Sequence, residues 1–145
     1  MPVGWAMMVG VSATLNHATI CASDFEASLQ FYDAALGALG LERAAEFGDE
    51  EEEDPEVEAA GWANAGGVPV LWLVAGAPGT TPTRGAHVAL RAASRADVEA
   101  FYAAALAAGG SGHDAPRRWA IYRKGEFNAL VRDPDGNLVE AVAGE

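Results

Sequence analysis

The chain has 145 residues, of which 50% are hydrophobic and 21% are charged, a size and composition typical of one globular domain. Nine Lys and Arg stand against 21 Asp and Glu, and this shortage of positive charge argues against nucleic-acid binding. A single cysteine, Cys21, excludes an internal disulfide and indicates a reducing compartment, so we expect a cytoplasmic protein.

The first 12 residues are apolar but lack the basic start of a signal peptide, and they are too short to span a bilayer. We therefore expect no membrane partner. This leader is either disordered or an added edge strand. Residues 13–145 are predicted to form a single domain.

A first module is predicted over residues 13–74. β-branched residues indicate a strand over residues 13–21 that carries His17. Ser23 followed by Glu26 is a capping-box pattern that predicts a helix start, and apolar residues then recur at helical spacing. Three strands follow, over residues 41–47, 57–64 and 68–74. Nine of the 21 acidic residues lie between Glu46 and Glu58, which predicts a solvated loop.

A Gly- and Pro-rich linker, residues 75–83, precedes a second module over residues 84–142. It repeats the order of the first: a strand with His87, a helix starting at Ser94, then strands. The last two strands are joined by Asp133-Pro-Asp-Gly136, a strong turn sequence.

The two modules are related by an internal repeat. Phe31-Tyr-Asp-Ala-Ala-Leu-Gly-Ala-Leu-Gly40 recurs 70 residues later, identical at seven of ten positions, and the same offset carries His17 onto His87. Such self-similarity indicates duplication of one supersecondary unit. The predicted fold class is α+β, with two βαβββ modules.

Three motifs resemble the vicinal oxygen chelate superfamily, which includes glyoxalase I, extradiol dioxygenases and the fosfomycin- and bleomycin-resistance proteins. They are Asn16-His17, Gly85-Ala-His87 and the hairpin Asp133-Pro-Asp-Gly-Asn-Leu-Val-Glu140. The resemblance implies curved mixed sheets that form a partial barrel around a cavity. It also implies a small-molecule substrate, and often a homodimer.

His17, His87 and Glu140 are the candidate metal ligands. Two imidazoles and one carboxylate suit Fe, Zn, Mn or Ni, and three protein ligands leave positions open for water or substrate. A carboxylate within an apolar strand is costly unless it is paired or metal-bound. The alternative is that the histidines are hydrogen-bonded core residues and that Glu140 points to solvent.

Trp72 occupies the position that corresponds to Glu140 in the first module. In glyoxalase I-like proteins this position resembles a second Glu that binds metal and moves the substrate proton. An indole can only donate a hydrogen bond, which disfavours methylglyoxal isomerisation. Trp72 either lines the substrate pocket or fills the core.

Basic residues cluster between Arg117 and Lys124. They form either a mouth for an anionic substrate or a solvated loop. Within this cluster, Arg123 is a candidate pocket residue, and Tyr122 is a candidate catalytic acid or hydrogen-bond donor. His113 is expected to be an exposed loop residue.

Three functions remain open, of which the third is a degenerate relative that keeps the ligands but has no turnover. The first is a glyoxalase- or dioxygenase-like metal-dependent enzyme for a small oxygen-bearing molecule, with oxygenation or conjugation favoured over isomerisation. Its class, lyase, dioxygenase or transferase, stays open. The second is a metal-free sequestration protein of the bleomycin-resistance type.

Overall fold

A computed structural model describes residues 12–47, 57–76, 79–118 and 125–144. Most of the apolar leader and of the acidic loop lies outside these residues. So do two predicted site residues, Tyr122 and Arg123.

The chain forms two βαβββ modules, which confirms the α+β fold class. The first contains β1 (Ala18–Cys21), α1 (Phe25–Ala38), β2 (Glu42–Phe47), β3 (Glu58–Ala63) and β4 (Pro69–Ala75). The second contains β5 (His87–Arg91), α2 (Arg95–Ala107), β6 (Ser111–Arg118), β7 (Phe127–Arg132) and β8 (Leu138–Ala143). Each module has one open four-stranded mixed sheet, in the orders β1-β4-β3-β2 and β5-β8-β7-β6.

Strand register confirms the internal symmetry that the sequence predicts. The first strand of each module runs parallel to the last, so that Thr19 pairs with Trp72 and Ala89 pairs with Glu140. Trp72 and Glu140 therefore hold equivalent places in the two sheets. His17 and His87 are also equivalent, since each lies two residues before the residue that pairs with Trp72 or Glu140.

Each sheet buries one face against the helices, and α1 and α2 pack against each other. In β8 the residues Val139, Ala141 and Ala143 are buried on the helix side, while Leu138, Glu140 and Val142 alternate with them. The second set points to the face that is covered by neither α1 nor α2, the two helices of the described residues, and we call it the open face. It is the face available to a ligand.

The helix starts differ in part from the prediction. Asp24, not Ser23, caps α1, and its side chain accepts a hydrogen bond from the backbone N–H of Ala27. Ser23 instead donates to the Asp135 carboxylate in the second module. A capping box is a local pattern, and here a tertiary partner replaces it. Ser94 caps α2 as predicted, accepting from the N–H of Asp97.

The β7–β8 turn joins the second module to the first. The Tyr32 hydroxyl on α1 donates to Asp133 Oδ2 at 2.6 Å, and both side chains are buried. Asp133 Oδ1 accepts from the backbone N–H groups of Asp135 and Asn137. This turn leads directly into β8, so the same contacts fix the position of Glu140.

Two further strands differ from the prediction. The first strand begins at Ala18 rather than at residue 13, which leaves His17 just before it. His113 lies in β6 rather than in a loop, although it is exposed as expected. Pairing with β7 overrides the weak strand propensity of this Gly- and Pro-containing segment. No helix in the described part of the chain is both long and apolar enough to cross a membrane.

Candidate functional site

The open face of the second sheet brings His87 and Glu140 together. His87 begins β5 and Glu140 lies in the middle of the neighbouring strand β8. His87 Nε2 is 2.7 Å from Glu140 Oε1. The His87 side chain is 50% exposed and that of Glu140 is 13% exposed. A nearly buried carboxylate thus meets an accessible imidazole, an arrangement that can hold a divalent cation.

Asn128 holds the other carboxylate oxygen. It lies in β7 on the same face, it is 5% exposed, and its Nδ2 donates to Glu140 Oε2 at 2.6 Å. One oxygen of Glu140 is therefore fixed while the other faces His87. Hydrogen bonds of this kind orient metal ligands and tune their basicity.

His17 does not join this pair within one chain. It is exposed, and its Nδ1 is 2.7 Å from Oδ1 of the adjacent Asn16. No cluster of three His, Cys, Asp or Glu side chains suited to a metal occurs among the residues that the structure describes. The chain on its own therefore brings together two of the three predicted ligands.

Trp72 lies on the open face of the first sheet, where its strand partner is Gly61. A Cβ on Gly61 would lie 3.0 Å from the ring atoms of Trp72, so the indole rests directly on the glycine backbone. The side chain is half-buried. It can present an aromatic surface to a ligand, but it cannot supply the carboxylate that Glu140 supplies in the second sheet.

Two residues of the open face escaped the sequence reasoning, namely Asn128 and Arg91. The sequence contains a feature that could have identified each of them. Alternation along a strand places Arg91 on the face of His87, four residues away in β5. Asn128 is a polar residue within an apolar strand, and the hairpin turn at residues 133–136 sets its strand next to that of Glu140.

Comparison with known proteins identifies the family. The sequence profile of the Glyoxalase/Bleomycin resistance protein/Dioxygenase superfamily matches residues 14–141, and the chain belongs to this superfamily. No curated protein sequence matches the chain significantly.

Solved structures show the same fold. A glyoxalase/bleomycin resistance protein from Albidiferax ferrireducens is 26% identical, with a TM-score of 0.67 over 92% of this chain and 100% of that chain. A glyoxalase/bleomycin resistance protein/dioxygenase family enzyme from Burkholderia phytofirmans is 18% identical, with a TM-score of 0.64 and coverages of 92% and 100%. A glyoxalase I mutant from Zea mays is 25% identical, with a TM-score of 0.65, and the match covers 88% of this chain and 44% of that one.

Proposed function

We propose that this protein is a divalent-metal-dependent enzyme acting on a small oxygen-bearing molecule. The observation that carries the proposal is the contact of 2.7 Å between His87 Nε2 and Glu140 Oε1 on the open face. The donor set fits the group: an imidazole and a carboxylate are ligands for Zn, Fe, Mn and Ni. When bound, the metal supplies Lewis-acid polarisation of neighbouring substrate oxygens.

The third ligand comes from a second copy of the chain. Two protein ligands are fewer than catalytic metal sites use, and His17 lies exposed at the equivalent point of the other module. A homodimer in which the first module of one subunit faces the second module of the other completes the set. The site then consists of His87, Glu140 and the partner subunit's His17, and the exposed open faces become its walls.

The presence of Trp72 limits the reactions that the proposed site can catalyse. Its place is equivalent to that of Glu140, so the assembled site has one carboxylate rather than two. An indole accepts no proton, and methylglyoxal isomerisation through a second carboxylate base is disfavoured. Oxygenation or conjugation needs only the three ligands and open coordination positions. Trp72 would stack against the bound molecule, while Arg123 and Tyr122 stay candidates for anion binding and proton donation.

A metal-free sequestration protein of the bleomycin-resistance type is the second candidate. The half-buried indole of Trp72 on an open sheet face favours it, because such a surface suits a flat aromatic ligand. The nearly buried carboxylate of Glu140 counts against it, because a buried charge in a groove for an apolar ligand carries a desolvation cost that no metal offsets.

Metal uptake separates the two candidates. Purified protein is stripped with chelator, and Zn²⁺ or Ni²⁺ binding is followed by calorimetry and elemental analysis. We expect about one ion per subunit, and a loss of affinity of at least about tenfold in Glu140→Gln and in His87→Ala. His113→Ala is the matched control, because His113 is also exposed and also lies 2.7 Å from a carboxylate, that of Asp114. Uptake below a tenth of an equivalent, or equal loss in the control, contradicts the proposal.

A further inference from the structure

The open face of the second sheet carries a cation beside the candidate metal ligands. Arg91 pairs with Val142 in the strand register, two residue pairs beyond the pairing of Ala89 with Glu140. The Cα atoms of Arg91 and Glu140 are therefore about 8 Å apart, two residues along and one strand across. Both side chains lie on the same face. A small ligand at His87 and Glu140 is within reach of the Arg91 guanidinium.

Arg91 differs from the other cations that the structure describes, because none of the described residues is its partner. Arg43 pairs with Asp33 and Glu46, Arg84 lies 3.7 Å from Asp135, and Arg95 covers the Phe127 ring. Within the described ranges, by contrast, Arg91 makes no ion pair, hydrogen bond or ring contact. Arg132 also lies on this face, because it pairs with Leu138 in the strand register, but its guanidinium donates to the Gly136 carbonyl oxygen. Of these two guanidinium groups, that of Arg91 is the one for which the described residues supply no partner.

A cavity of about 770 Å³ lies beside Arg91, between the two modules. Its walls are mostly apolar and include Leu39, Leu41, Val70 and Ala89. Of the described residues that line it, Arg91 is the one with a charge. Glu126 lines a smaller neighbouring cavity that Arg91 also borders. Neither His87 nor Glu140 lines this cavity, so a molecule that reached both would extend along the open face, with its apolar body in the cavity and its anionic group at Arg91.

We infer that Arg91 binds the carboxylate of a small acid whose other end reaches His87 and Glu140. One guanidinium matches the single charge and planar fork of a carboxylate. The substrate class is therefore a small organic acid with metal-binding oxygens at one end and a separate carboxylate at the other. This inference rests on the proposed metal-dependent function and specifies its substrate class.

The test compares two probes that differ only in the distal group, 2-oxoadipate and 2-oxohexanoate. Their Kd values for zinc-loaded protein are measured by calorimetry. We expect 2-oxoadipate to bind at least about tenfold more tightly, the range of one charge-assisted bidentate pair. Arg91→Gln should abolish this preference, and Arg91→Lys should keep part of it, since the charge remains without the fork. Zinc affinity should be unchanged in both variants.

Arg95→Gln is the matched control, because it removes the same charge from the helix-covered side of the same sheet. It should keep the full preference. Three outcomes with normal zinc uptake overturn the assignment of Arg91 and leave the proposed function standing. They are equal Kd values for the two probes, no binding of either probe, and a preference that survives Arg91→Gln. Failure to take up zinc overturns the proposed function itself.

Discussion

Replacing Tyr32 with Phe removes one hydroxyl from the buried contact that joins the two modules. Tyr32 is 1% exposed, and its hydroxyl donates to Asp133 at 2.6 Å. Its ring packs edge-on against Phe31 and tilted against Trp62, with centroids 4.9 and 5.9 Å away. Phenylalanine preserves these ring contacts, so the substitution isolates the hydrogen bond.

The expected loss follows from the charge and burial of the acceptor. A hydrogen bond to a charged group contributes about 1.5–3 kcal/mol to the free energy of unfolding, and in Tyr32→Phe the Oδ2 atom of Asp133 stays buried without this donor. Asp133 Oδ2 keeps one donor, Asn137 Nδ2 at 3.0 Å, which limits the loss to this range. For a chain of this length we expect a fall in Tm of about 5–9 °C.

Urea unfolding measures the change in free energy of unfolding. The protein concentration is held fixed, because the stability of the proposed dimer would depend on it. Tyr102→Phe is the control. Tyr102 is half-buried, and its hydroxyl makes no hydrogen bond within the ranges that the structure covers. It should lose less than about 0.5 kcal/mol. Equal losses in the two variants, or a loss below about 0.5 kcal/mol in Tyr32→Phe, would refute the reasoning.

The contribution of Tyr32 to the free energy of unfolding should depend on pH. Burial, and then the neighbouring Asp133 carboxylate, raise the pKa of Tyr32 above its ordinary value. The unfolded chain ionises this phenol near pH 10 and the folded chain does not, so the stabilisation is complete below pH 10 and falls above it. Between pH 9 and pH 11 the free-energy difference between the wild type and Tyr32→Phe should shrink by about 1.4 kcal/mol. A constant difference contradicts this prediction.

Two further predictions address packing and the shared site. In Gly110→Ala the added Cβ would lie 2.5 Å from the Phe31 ring, so we expect the free energy of unfolding to fall by about 2–3 kcal/mol. Gly37→Ala is the control, because its methyl group meets open space on α1 and should raise the free energy of unfolding by about 0.5–1 kcal/mol. Thermal melting measures both changes. Mixing subunits that carry His17→Ala with subunits that carry Glu140→Gln should restore one metal site per mixed dimer. No recovery in elemental analysis would mean that the site is not shared between subunits.

Local chemistry in the sequence determined much of the fold. The repeat at 70 residues predicted two modules, helical spacing of apolar residues predicted α1 and α2, and the Asp133–Gly136 turn predicted the last hairpin. The helices and the turn depend on residues close together in the chain, and the repeat depends on comparing two segments of it. The equivalence of Trp72 and Glu140 was predicted from the repeated order of strands, and the strand register confirms it. The two residues are 68 rather than 70 positions apart, so the second module is two residues shorter between its first and last strands.

Only the tertiary structure decided which distant side chains meet. The resemblance predicts that His87 and Glu140 lie together, but only the structure shows that Asn128 holds the same carboxylate and that His17 stays apart within one chain. It also shows that Ser23 donates a hydrogen bond to Asp135 rather than capping α1 as predicted. Contacts of this kind depend on how two modules and their strands are placed in space, and side-chain periodicity within a single element carries no information about that placement.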